Sequence, residues 1–256
     1  MKAFYIEKAH ATMRYNDFPG RDQPIVFIHG LGCAGSFDYP QVAAQAELQK
    51  HRCIIVDLLG AGYSDKPPYF SYTVSAHAEY LADFVAALHL HDFVLFGHSL
   101  GGAIAIALAG KCRERVNRLL LSEANLDKSS EGSTSKCIAD YEEDQFLKNG
   151  FETLIQDSRA SGNQMWAASL SLWSREAAYR LSKSAAEGVE PSWRKQFYAL
   201  DCPKTFLFGE RSLPDPDEQV LRQQGIGVDV VKKAGHSMAW ENPRGLAQAI
   251  ARGITT

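Results

Sequence analysis

The feature that most constrains this chain is a series of short runs that are apolar at consecutive positions. They are Ile25 to Ile28, Cys53 to Val56, Phe93 to Phe96 and Leu119 to Leu121, joined by Thr205 to Phe208 and Val228 to Val231, each of which holds one polar residue. A strand with one wet face alternates polar and apolar residues; one without alternation is covered on both sides, as in a parallel sheet sandwiched between helices. Helical patterns fill several of the gaps. Val74 to Leu90 repeats apolar residues at helical spacing, and Leu100 to Ala109 is built almost wholly of small and aliphatic residues. Two further runs, Phe4 to Glu7 and Ala11 to Tyr15, precede the Pro19-Gly20 turn and read as an antiparallel pair. The fold class is therefore α/β.

The alternation stops between Asn125 and Leu200, where Tyr141, Phe146, Trp166, Leu170, Trp173, Tyr179 and Trp193 follow a polar Gly-Ser-Thr-Ser segment. This predicts a helical cap over residues 125–200, set between core segments 1–124 and 201–256. Its aromatics either line a pocket above the strand ends or form the insert's own small core.

Composition narrows the partners. Lys and Arg number 27 against 30 Asp and Glu, a net charge of −3, which leaves no basic excess to neutralise phosphates and argues against nucleic acid. The five cysteines contain no CxxC pair, so neither a disulfide framework nor a thiolate metal site is expected. The first residues break their only apolar run at Glu7 and Lys8, too early for an export signal, and no run approaches the roughly 18 apolar residues of a membrane span. These readings predict a cytoplasmic protein that avoids membranes and point to no metal or cofactor.

Gly30-Leu31-Gly32-Cys33-Ala34-Gly35 satisfies GxGxxG directly after a strand, and Asp57 ends the next strand, as in a dinucleotide site. Three features oppose that reading. Pro40 would break the phosphate-binding helix, His29 occupies an ordinarily apolar strand end, and Asp57 sits in a run of turn formers whose amides its carboxylate can satisfy.

After Phe93 to Phe96 comes Gly97-His98-Ser99-Leu100-Gly101-Gly102, a GxSxG segment between strand and helix. Such a turn strains the serine backbone, exposes its hydroxyl and leaves the Leu100 amide free at a helix N-terminus to face a developing oxyanion. Serine is a weak nucleophile until a base of near-neutral pKa takes its proton. Gly235-His236, on the loop after the last strand, supplies a candidate.

With these pieces in this order, nearly the whole chain resembles the α/β-hydrolase superfamily. The resemblance implies an eight-stranded, mostly parallel sheet with the cap inserted after the sixth strand. It further implies Ser99 as nucleophile, His236 as base, an oxyanion hole from the amides of Leu31 and Leu100, and a structural His29. Family members usually place an aspartate after the penultimate strand in a pattern like GExD, but here the run is Gly209-Glu210-Arg211-Ser212. Glu123, at the end of the strand after the elbow, is the leading substitute, because haloalkane dehalogenases place their acid there; Asp215, Asp217 or no acid are the alternatives. Dehalogenation itself needs an aspartate nucleophile where this chain has Ser99.

The resulting expectation is a serine esterase for a small or medium apolar acyl compound, its pocket lined by Trp166, Trp173, Met238 and Trp240. Thioester or carbon-carbon bond hydrolysis, lyase activity and a non-catalytic ligand receptor would use the same residues.

Overall fold

The computed structural model describes residues 1–255. Among them, strands β1 Lys2–Ile6, β2 Ala11–Phe18, β3 Asp22–Ile28, β4 His51–Asp57, β5 Phe93–His98, β6 Val116–Ser122, β7 Lys204–Gly209 and β8 Gly227–Val231 form one eight-stranded sheet. Its order is β1-β2-β4-β3-β5-β6-β7-β8. β2 runs antiparallel to both β1 and β4, and every later pairing is parallel. Every run read as a strand is one.

The double burial of the central strands has a direct structural cause. Leu95, Leu119 and Leu121 pack into a core on one face, while Val94, Phe96 and Leu120 pack into a second core on the other. Helices α1 Gly35–Asp38 and α2 Pro40–Ala43 follow β3, α3 Val74–Ala87 precedes β5, and α4 Leu100–Lys111 follows it. α3 and α4 cover the first face; α4 has small apolar residues all round because α3, β5 and β6 enclose it.

The chain between β6 and β7 carries α5 Thr134–Ala139, α6 Glu143–Gln145, a π-helical turn Phe146–Gly150, α7 Phe151–Ala160, α8 Gln164–Leu170, α9 Arg175–Glu187 and α10 Trp193–Tyr198. The two readings of its aromatics divide by residue. Phe146 is fully buried against Tyr141, Phe151 and Tyr179, a core internal to the insert, whereas Trp166 and Trp173 reach the sheet side. Three polar ties fasten the insert down. The Ser174 amide donates to Gly60 O at 2.8 Å, Arg180 to Pro68 O at 2.8 Å, and Arg194 pairs with Asp217 at 2.8 Å.

The chain closes with α11 Pro216–Gln223 before β8, then α12 Met238–Glu241 and α13 Pro243–Thr255. α13 lies with α2 against the second face. No helix among the described residues is long and apolar enough to cross a membrane.

Candidate active site

Strand β5 ends at His98 and α4 begins at Leu100, so the chain must reverse within Ser99. Ser99 does so at φ 52°, ψ −126°, a region costing an L-residue about 1–3 kcal/mol. Its neighbours hold it there. The Ser99 amide donates to Ser122 O at 2.9 Å, and its carbonyl accepts from Gly102 at 2.8 Å and Asn125 at 3.1 Å. A Cβ at Gly101 would stand 2.2 Å from His29 O, so only glycine lets α4 approach β3 this closely. The Ser99 hydroxyl makes no hydrogen bond among the described residues and faces the cleft.

His236 stands on the loop between β8 and α12, its side chain 56% exposed. Glu241, which also pairs with Arg211 at 2.8 Å, accepts the Gly235 amide and so anchors this loop. The His98 ring lies with its centroid 4.9 Å from that of His236. Burial lowers the His98 pKa to about 3, reinforced by the neighbouring His236, so His98 stays neutral beside it.

Glu123 follows β6 directly and, like Ser99, has positive φ, 47°. Its Oε2 lies 3.8 Å from His236 Nδ1, and its Oε1 accepts the Gly209 amide at 2.7 Å. Burial pushes the carboxyl up, but His236, the Gly209 amide and the Ser212 hydroxyl outweigh it and hold the pKa below the ordinary glutamate value. Ser212, at the position where an aspartate is expected, thus lies beside Glu123. The competing acids are committed elsewhere. Asp215 caps α11 by accepting the Asp217 amide at 2.8 Å, and Asp217 pairs with Arg194.

On the opposite side runs the loop after β3. His29 is fully buried, with Nδ1 at 2.9 Å from Gly30 O and Nε2 accepting the Leu58 amide at 3.0 Å. Asp57 accepts from the Ser36 amide at 2.8 Å, the Ser36 hydroxyl at 2.7 Å and the Tyr63 amide at 3.0 Å, so its carboxylate satisfies loop donors. Two indoles from the insert hold this loop. Trp166 Nε1 donates to Leu31 O at 2.9 Å, and Trp173 Nε1 to Cys33 O at 2.6 Å. Gly32 has φ 72°, and a Cβ there would meet the Trp166 ring at 2.5 Å. The amides of Leu31 and Leu100 donate to no acceptor among the described residues, and both residues line the same cleft.

That cleft, about 660 Å³, contains Leu31, Ser99, Leu100, Glu123, Trp166 and His236. Three expected pocket residues lie outside it. Trp173 is buried beneath the loop, edge-on to His29 at 5.8 Å. Met238 and Trp240 line a separate small cavity under the histidine loop; Met238 Sδ accepts from Ser122 Oγ at 3.3 Å, and Trp240 packs on Phe37 at 5.7 Å. Met238 points inward because α12 turns it to the second core. Nor is the cleft lining apolar as expected: Asn125, Ser133, Thr134, Ser135, Ser158 and Asn163 contribute to it. The Gly-Ser-Thr-Ser segment was the visible sign of this, since Gly132 to Ser135 all reach the cleft.

A serine on a strained turn, an imidazole, a buried carboxylate and two free amides around one cleft can support nucleophilic acyl chemistry. The esterase EaEST from Exiguobacterium antarcticum superposes with a TM-score of 0.81 at 17% identity, over 99% of each chain. A 2-hydroxy-6-oxo-2,4-heptadienoate hydrolase from Pseudomonas putida is 35% identical over 113 residues, 41% of this chain and 38% of that protein. Haloalkane dehalogenase 2 from Mycobacterium tuberculosis is 31% identical over 117 residues, 46% of this chain and 40% of that protein. The match thus spans about two-fifths of the length of these curated relatives. A family model described as alpha/beta hydrolase fold matches residues 23–205, from β3 into β7 and through both the elbow and the insert. The chain belongs to the alpha/beta hydrolase fold family.

Proposed function

We propose that the protein is a serine hydrolase that cleaves carboxylic esters through an acyl-Ser99 intermediate. His236 accepts the Ser99 proton as the hydroxyl attacks the carbonyl, while Glu123 orients the imidazole and stabilises its cation. The oxyanion of the tetrahedral intermediate takes hydrogen bonds from the amides of Leu31 and Leu100. His236 then protonates the leaving alcohol, and a water activated by the same imidazole releases the acid. The observation that carries this reading is the strained Ser99, φ 52°, sharing one cleft with His236, Glu123 and two undonated amides.

The test is labelling by a fluorophosphonate with mass analysis of the modified peptide. Modification at Ser99 that is lost in Ser99→Ala supports the reading. A folded protein that remains unlabelled counts against it and moves weight to a ligand receptor.

The relative named as a 2-hydroxy-6-oxo-2,4-heptadienoate hydrolase favours a second reading, hydrolysis of a carbon-carbon bond beside a ketone on the same serine. Turnover of hydroxy-oxo-dienoates exceeding that of simple esters would establish it in place of the first.

A further inference from the structure

The charge and the free hydrogen-bonding groups around Ser99 define what its cleft can hold. The ionisable side chains lining it are Glu123 and His236, with no Lys or Arg among them. The ionised Glu123 gives the cleft a negative charge that no fixed cation balances. An anionic substrate would meet repulsion and find no Lys or Arg to pair with its carboxylate.

Among the polar groups of the cleft, Ser135 is paired with Ser129 at 2.7 Å and the Ser237 hydroxyl makes no hydrogen bond among the described residues; the others fall into two sets. Ser133, Ser158 and Ser161 donate their hydroxyls to the carbonyls of Ser130, Leu154 and Ser158, so their hydrogens are already committed. The side chains of half-buried Asn125 and of solvent-exposed Thr134 and Asn163 make no hydrogen bond to protein among the described residues. They come from three separate places: two residues beyond Glu123, the first position of α5, and the residue before α8. Asn125 is half-buried and lies next to the nucleophile, its backbone amide bonded to Ser99 O at 3.1 Å. An alkyl chain covering these groups would strip their water and return nothing, at about 1–3 kcal/mol for each one buried.

We infer that the cleft takes neutral acyl esters carrying an amide or hydroxyl on the acyl chain, in preference to alkyl esters and to esters bearing a second carboxylate. Asn125 and Asn163, each offering both a donor and an acceptor, meet that group. The inference rests on the serine hydrolase reading proposed above and narrows its substrate class.

Three 4-nitrophenyl esters of similar length test it: the hexanoate, the 4-acetamidobutanoate and the hemiglutarate. Their substituents lie far from the carbonyl, and each rate is divided by its own buffer hydrolysis. The acetamido ester should exceed the hexanoate in kcat/KM by about tenfold, the value of one well-made hydrogen bond, and the hemiglutarate by more. Asn125→Leu and Asn163→Leu should each move the acetamido-to-hexanoate ratio toward unity without reducing hexanoate turnover to the same extent. A hexanoate or hemiglutarate rate equal to or above that of the acetamido ester, with Ser99 labelled by fluorophosphonate, would overturn the inference and leave the hydrolase reading intact. Absence of both labelling and turnover would remove the two together.

Discussion

Trp166 offers the sharpest test of how the insert governs the chemistry. Its indole donates to Leu31 O at 2.9 Å, and Leu31 is the residue whose amide is proposed to receive the oxyanion. Trp166→Phe keeps an aromatic ring near Gly32 but removes the N–H, together with part of the indole's packing. Leu31 is 9% exposed, so its carbonyl loses a partner in a place where water is a poor replacement, at about 1–2 kcal/mol. If the loop relaxes to recover that energy, the donor leaves its position, and the cost appears in the transition state, where the oxyanion exists. That converts to about a 5- to 30-fold loss in kcat, below the roughly 100- to 1,000-fold for deleting a donor outright, with KM little changed. The same energy lowers Tm by about 2–8 °C in a chain of this size. Steady-state kinetics on an activated ester, beside thermal melts, separate the two. A kcat within twofold of the parent, at a Tm lowered as calculated, would show that the tether serves stability alone.

Three further outcomes follow from the same geometry. Glu123→Gln should lower kcat by about 100- to 10,000-fold, because the amide no longer stabilises the imidazolium, whereas Asp215→Asn should leave kcat nearly unchanged, since asparagine still caps α11; the reverse ranking would transfer the acid role to Asp215. Burial raises the Asp38 pKa to about 8, so its stabilising effect is complete below the ordinary aspartate pKa and is lost as pH rises toward 8. Asp38→Asn should therefore melt progressively higher than the parent between about pH 5 and pH 8, and parallel Tm curves would refute the assignment. Gly32→Ala forces a Cβ into the Trp166 ring, so it should reduce kcat further than Trp166→Phe does; a milder effect, measured on the same ester, would mean the loop yields freely.

The sheet was legible because its central strands carry unbroken apolar runs, and the elbow because GxSxG between strand and helix admits few other structures. Asp57 was also legible, since a carboxylate among turn formers has nearby amides to satisfy. The pocket was harder to read. Tryptophan identity says that a ring will be buried but not which carbonyl its N–H will find, so Trp166 and Trp173 became loop tethers, and only Trp166 also lines the cleft. Met238 and Trp240 follow His236 closely, yet a short helix rotates them to the opposite side of the loop. Asn125, Thr134 and Asn163 are common surface residues, and only folding brings three separate segments to one cleft.

The position of the proposed acid, Glu123, follows from sheet order more than from sequence order. β6 and β7 are hydrogen-bonded neighbours, with Ser122 opposite Leu207, so the residue after β6 and the residues after β7 emerge at the same edge. A carboxylate from either strand therefore approaches the same histidine. Glu123 binds the Gly209 amide that ends β7 and reaches toward His236 from there, while Ser212 contributes a hydroxyl instead of a second negative charge. An aspartate at 212 beside an intact Glu123 would place two carboxylates in one half-buried spot, where like charges raise one pKa. Ser212→Asp should thus impair the parent protein, yet recover part of the activity lost in Glu123→Gln. Failure of that rescue would show that the backbone at 212 no longer presents an acid to His236, and that the site depends on its carboxylate from β6.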